Sequence, residues 1–68
     1  MSFLKEEFGS IKLVSTETNE RIRHYEGLSK DFGQLKKYDE LDTGSSFLAI
    51  DTGDYYKYEE TTKTWYKL

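Results

Sequence analysis

The chain contains no cysteine and a single histidine, His24. Without cysteine no disulfide can form. With one histidine a zinc site is not expected, because zinc takes sulfur and nitrogen ligands. No cofactor is expected either. Long apolar runs are missing: nothing approaches the ~20 residues that a membrane-spanning helix needs. Met1 to Gly9 carries Lys5, Glu6 and Glu7, so it lacks the uninterrupted apolar stretch of a secretory signal. The chain therefore reads as soluble and made in the cytoplasm, with no membrane partner. A basic stripe is also missing. Ten basic residues face thirteen acidic ones, the net charge is −3, and only Lys36 and Lys37 are adjacent. Phosphate neutralisation supplies most non-specific affinity for nucleic acid, so nucleic acid is not an expected partner.

What is present suits one small folded domain. Sixty-eight residues cannot divide into two cores, and 35% hydrophobic with 34% charged residues fits a globular chain better than a disordered one. A core of this size seldom supplies more than ~3–5 kcal/mol, so such domains often need a staple. With disulfides and zinc set aside, oligomerisation is the staple that remains.

The reading along the chain covers residues 1–68 as one β domain: an arm over 1–10, a hairpin over 11–25, a long loop over 27–45 and a meander over 46–68. Within the arm, Leu4 and Phe8 are four apart, Ser2 is an acceptable N-cap and Gly9 could end a turn, so one short helix could form at Ser2 to Phe8. Ile11, Leu13 and Ser15 alternate with Lys12 and Val14, which reads as a strand. Thr16 to Glu20 is a polar break of hairpin length, and Arg21 to Tyr25 alternates charge with Ile22 and His24 as a second strand. From Gly27 to Ser45, the residues Phe32, Leu35, Tyr38 and Leu41 are spaced by threes. That allows a ragged helix over Ser29 to Leu41, weakened at Gly33, or equally a long loop anchored by those four side chains. Ser46 to Asp51, Asp54 to Glu59 and Thr64 to Leu68 read as three strands joined by turns at Thr52-Gly53 and Glu60 to Lys63. The expected fold is mostly β: a small antiparallel sheet made of an N-terminal hairpin and a C-terminal three-stranded meander.

Asp42-Thr43-Gly44-Ser45-Ser46, followed by Asp51-Thr52-Gly53, looks like aspartic-protease chemistry. That chemistry needs two carboxylates close enough to share a proton. A strand over Ser46 to Ile50, at ~3.3 Å per residue, would hold Asp42 and Asp51 well over ~15 Å apart. A dimer with one aspartate per chain would need a supporting segment well downstream, and little chain follows Gly53. Asp and Thr bond nearby backbone and Gly accepts positive φ, so turn chemistry is the expected role. His24 has no sequence-near Asp, Ser or second His and reads as a structural or surface residue. No Gly-rich phosphate loop, nucleophile elbow or metal-ligand spacing is present, and no enzyme activity is expected.

The meander holds Tyr55, Tyr56, Tyr58, Trp65 and Tyr66. Alternation gives both faces aromatic residues, so one face can be core and the other a contact surface. Tyr55, Tyr56, Trp65 and Tyr66 are the candidate contact residues, for a protein or for sugar rings.

Tyr25-Glu26-Gly27-Leu28-Ser29-Lys30-Asp31, Gly44-Ser45-Ser46-Phe47, Asp51-Thr52-Gly53-Asp54-Tyr55-Tyr56-Lys57-Tyr58 and Thr64-Trp65-Tyr66 occur in that order. Together they resemble a pattern of small proteins and modules associated with structural genes of tailed bacteriophages and prophages: Tyr-x-Gly-Leu-Ser, a variable loop, Gly-Ser-x-Phe, Asp-Thr-Gly, an aromatic strand and a terminal Trp. The resemblance covers about Tyr25 to Leu68. Its one departure is a variable loop without the Lys-Pro that such loops often carry. It implies a non-enzymatic virion structural or assembly protein, made in the bacterial host cytoplasm. Its partners would be copies of itself, as a homo-oligomer, and a larger phage structural protein. The alternatives are a carbohydrate- or host-surface-binding module, and a small inhibitor of a host protein with an acidic patch of Glu17, Glu20, Asp39, Glu40 and Asp42.

Overall fold

A computed structural model describes residues 8–38 and 40–68. The short helix expected at Ser2 to Phe8 lies outside the described residues, apart from Phe8 itself, which forms an isolated bridge with Ile11.

Five strands form one sheet in chain order: β1 (Lys12–Glu17), β2 (Ile22–Gly27), β3 (Ser46–Ala49), β4 (Tyr55–Glu59) and β5 (Thr64–Lys67). The expected hairpin is β1–β2, and the expected meander is β3–β4–β5, each antiparallel within itself. The two units join through a parallel pair, β2 beside β3, with His24 opposite Ser46 and Gly27 opposite Ala49, so the sheet is mixed.

That parallel junction explains the stretch that the sequence left open. Two parallel neighbours cannot be joined by a tight turn; the chain must return from the end of one strand to the start of the next, which takes a dozen or more residues. Residues 28–45 make that return. They hold a 3-10 turn, Ser29–Asp31, and one short helix, α1 (Phe32–Leu35), and among the described residues that follow there are turns at Lys36-Lys37 and Thr43-Gly44 but no further helix or strand before β3. The crossover is therefore partly helix and partly loop, and Phe32, Leu35 and Leu41 are its buried anchors.

The hairpin turn carries Thr18, Asn19 and Glu20 at φ near +54° to +69°, and is closed by the Arg21 amide donating to the Thr18 carbonyl at 3.1 Å. Asn tolerates that left-handed backbone better than Thr or Glu, because its short polar side chain can hydrogen-bond the local backbone. A bulge between Leu13 and Ser15 makes Val14 an extra residue in β1.

The core lies on one face of the sheet, beneath the crossover. Tyr25, Phe47, Ala49, Tyr58 and Trp65 point into it from the strands, joined by Ile11, Phe32, Leu35 and Leu41. Phe32 is its hub. Its ring stacks on Phe47 at 4.5 Å between centroids, meets Tyr56 at 4.4 Å, and stands edge-on to Trp65 at 5.6 Å. Arg23 belongs to this inner face. Its guanidinium donates to the Glu20 carbonyl at 2.9 Å and the Tyr38 hydroxyl at 2.9 Å, and lies over the Tyr38 ring. Ile22 and His24 take the opposite face, so in β2 the charged side of the alternation is the buried one.

Candidate functional site

The side of the sheet away from the crossover is open, and the candidate contact residues divide across it. In β4, Tyr55, Lys57 and Glu59 alternate with Tyr56 and Tyr58; in β5, Tyr66 alternates with Trp65 and Lys67. The register sets Tyr58 against Trp65 on the core face and Lys57 against Tyr66 on the open one. Trp65 is only 9% exposed, and Tyr56 packs against the core through Phe32 and Phe47. The four expected contact residues therefore do not share a face. Tyr55 and Tyr66 are exposed on the open face; Tyr56 and Trp65 pack with the core, because β-alternation places them under Phe32.

Around Tyr55 and Tyr66 the open side carries apolar residues that aromatic spacing did not single out. Leu48 lies opposite Tyr55, and the Leu68 amide donates to the Tyr55 carbonyl at 2.8 Å, which sets Leu68 beside it. Past the ends of β2 and β3, the Ile50 amide donates to the Gly27 carbonyl at 2.8 Å, bringing Ile50 next to Leu28. Ile50 is 59% exposed, Leu68 73% and Tyr66 49%, with Leu28 and Tyr55 also on the surface. Lys57 shares this face and stands opposite Tyr66 in the register. Its ammonium lies 5.8 Å from the Tyr55 ring centre and donates to the Gly44 carbonyl at 3.2 Å.

The same face holds a polar chain across three strands. His24 Nδ1 is 2.7 Å from Ser46 Oγ, and its Nε2 is 2.9 Å from Glu17 Oε2. The order serine, histidine, carboxylate is that of an activated nucleophile. Here, however, Ser46 is only 3% exposed, at the start of the central strand β3, which closes its oxygen to a substrate. The chain fastens β1, β2 and β3 together. The sequence hid it because its members are brought together by the hairpin and the parallel pair, not by spacing.

Both Asp-Thr-Gly segments make turns, and their carboxylates bind different parts of the chain. Asp42 pairs with Arg21 at 3.2 Å, and its carbonyl accepts from the Ser45 hydroxyl at 2.9 Å. Thr43 and Glu60 exchange hydrogen bonds: the Thr43 amide donates to the Glu60 carboxylate at 2.9 Å, and the Glu60 amide to the Thr43 hydroxyl at 2.8 Å. Gly44 follows at φ +110°. Asp51 instead accepts from the Ser29 hydroxyl at 2.8 Å and the Ser29 amide at 2.9 Å, and these two bonds hold its carboxyl below the ordinary range. It clamps the start of the crossover to the β3–β4 turn. Asp31 makes a similar clamp on Ser10, whose hydroxyl and amide lower its carboxyl as well.

Of the residues expected to form an acidic patch, Glu17 bonds His24, Asp42 bonds Arg21, and Asp39 lies outside the described residues. Among the described residues no three His, Cys, Asp or Glu side chains could hold a metal ion, and no helix is long and apolar enough to cross a membrane. In comparisons with protein-family models, curated proteins and solved structures, the chain matches none.

Proposed function

We propose that this protein is a non-enzymatic structural or assembly component of a phage or prophage virion, acting by contact with copies of itself and with a larger structural protein. The observation that carries the reading is the single-layered build. One face of the sheet is buried by the crossover, while the other is left with Tyr55, Tyr66, Ile50, Leu28 and Leu68 on the surface. Scattered single apolar residues are ordinary on any surface, but grouped ones mark an interaction site. The motif order from Tyr25 to Trp65 supplies the virion part of the proposal. Contact would also strengthen a core that is small for a free-standing domain. Mass spectrometry of particles purified after prophage induction tests it. The chain should co-purify with the particles at a fixed stoichiometry; recovery only in the soluble lysate would refute the virion role.

A second reading rests on Tyr55 and Tyr66, two exposed rings on the open face, with Lys57 opposite Tyr66 in the register and its ammonium beside the Tyr55 ring. Such a set suits a carbohydrate of the host surface. Backbone chemical-shift changes at Tyr55, Lys57 and Tyr66 on adding a cell-wall glycan, lost in Tyr66→Ala, would favour it. Trp65 would be a poor reporter of that contact, since its ring is in the core.

A further inference from the structure

We infer that the free edge of β5 pairs with the β5 edge of a second copy, antiparallel across a two-fold axis centred on Tyr66. This rests on the self-association in the function proposed above and names the surface that carries it.

The two edges of the sheet are not equivalent. β1 is interrupted by its bulge, with Val14 pushed out of register between Leu13 and Ser15. Bulges of this kind protect an edge from pairing. β5 runs without a break through four paired positions, from Thr64 opposite Glu59 to Lys67 opposite Tyr56. The chain also has no proline to blunt it.

Which backbone groups are free follows from the hydrogen bonds. Tyr58 donates to the Ser45 carbonyl, on the β3 side of β4, and the Leu68 amide donates to the Tyr55 carbonyl, on the β5 side. Groups alternate in an antiparallel ladder, so Thr64, Tyr66 and Leu68 face β4. Trp65 and Lys67 turn their amides and carbonyls outward, where no described strand lies beyond β5.

A two-fold centred on Tyr66 sets Trp65 opposite Lys67 of the second copy, and Lys67 opposite its Trp65. Each pair can exchange both backbone bonds. On the core side this brings Lys67, which pairs with its own Asp54 at 3.4 Å, to the edge of the second copy's largely buried Trp65, with no like charges opposed. On the open side it sets Tyr66 against Tyr66, and Thr64 against Leu68, extending the exposed apolar surface across the junction. Neighbouring registers are worse. Centring on Lys67 opposes two like charges, and centring on Trp65 sets Lys67 against Lys63 of the β4–β5 turn. The edge is thus complementary to itself in one register, as a closed two-fold interface requires.

The absence of cysteine makes the register testable by cross-linking. Tyr66 and its counterpart would be a non-hydrogen-bonded pair with Cα atoms about 4.5 Å apart, within disulfide reach. Tyr66→Cys should therefore oxidise to a covalent dimer in dilute solution. Lys57→Cys, one strand inward on the same face, should not, since three strand spacings of about 4.8 Å separate it from its counterpart. Lys67→Pro removes an outward amide from each copy and should weaken the dimer by about tenfold or more, whereas Lys67→Ala keeps the amide and should weaken it less. A wild-type dimer whose Tyr66→Cys variant fails to cross-link would overturn this edge while leaving self-association standing. A wild-type chain that stays monomeric at millimolar concentration would overturn both, and would leave the edge to a strand of another protein.

Discussion

Phe32 and Gly33 are neighbours on α1, and substitutions at the two should move stability in opposite directions. Phe32→Leu keeps an apolar side chain beneath the crossover but ends the ring contacts to Phe47, Tyr56 and Trp65. Aromatic pairs contribute about 0.5–1.5 kcal/mol each beyond their burial, so the loss should reach about 2 kcal/mol. For a domain of this size about 1 kcal/mol corresponds to roughly 4–8 °C in Tm, which predicts a fall of about 8–16 °C. Gly33 is exposed, has no left-handed φ, and a Cβ built there meets nothing within 4 Å. Gly33→Ala should raise stability by about 0.4–1 kcal/mol, through a less disordered unfolded chain and better helix propensity. Urea and thermal unfolding followed by Trp65 fluorescence measure both, since Trp65 touches the Phe32 ring. If Phe32→Leu lost less than about 0.5 kcal/mol, the crossover would not be packed on the sheet as described, and the assignment of core and open faces would fail with it.

Other outcomes follow from particular contacts. Gly27→Ala would bring a Cβ to 2.6 Å from the Ile11 Cα, so backbone must move; it should cost about 1–3 kcal/mol or more in urea unfolding, against a gain at Gly33. Glu59 accepts from the hydroxyls and amides of Thr61 and Thr62, with the Thr61 hydroxyl contributing most, and its carboxyl is lowered from 4.5 to about 2. A lowered folded pKa stabilises the fold above the unfolded value and is lost as pH falls, here between 4.5 and about 2. The stability gap between wild type and Glu59→Gln should accordingly shrink across that window, and a gap independent of pH would show that the β4–β5 turn is not held this way. Ser46→Ala should loosen β1 from β3 through His24, seen as faster amide exchange in the hairpin, with no change if the polar chain is incidental.

The antiparallel parts were legible because their signals are local. Alternation marks Asp54 to Glu59 as a strand, and short polar stretches mark its turns. The parallel junction had no such signal: Ser46–Ala49 reads as a buried strand, but nothing in it names Ile22–Gly27 as a neighbour. The crossover was ambiguous because it is both things, one turn of helix around Phe32 and Leu35 and then a non-helical stretch anchored again at Leu41. Arg23 was misleading by its charge. Its partners, Glu20 and Tyr38, lie in the hairpin turn and the crossover, and only the fold brings them around the guanidinium. Among the aromatic residues, alternation separated Tyr55 from Tyr56 and Trp65 from Tyr66, yet which set was inward depended on where Phe32 lands. Ile50 and Leu68 gave no sequence signal as contact residues, since exposed apolar side chains become a surface only when folding groups them.

The free β5 edge of this sheet is, by the inference above, completed by a second copy, which extends the open face rather than covering it. Sedimentation of the wild-type chain from micromolar to millimolar concentration tests it most directly. The account predicts a reversible shift to twice the chain mass of 8.0 kDa, going no further. A single-chain mass throughout, or open-ended growth without a plateau, would contradict it.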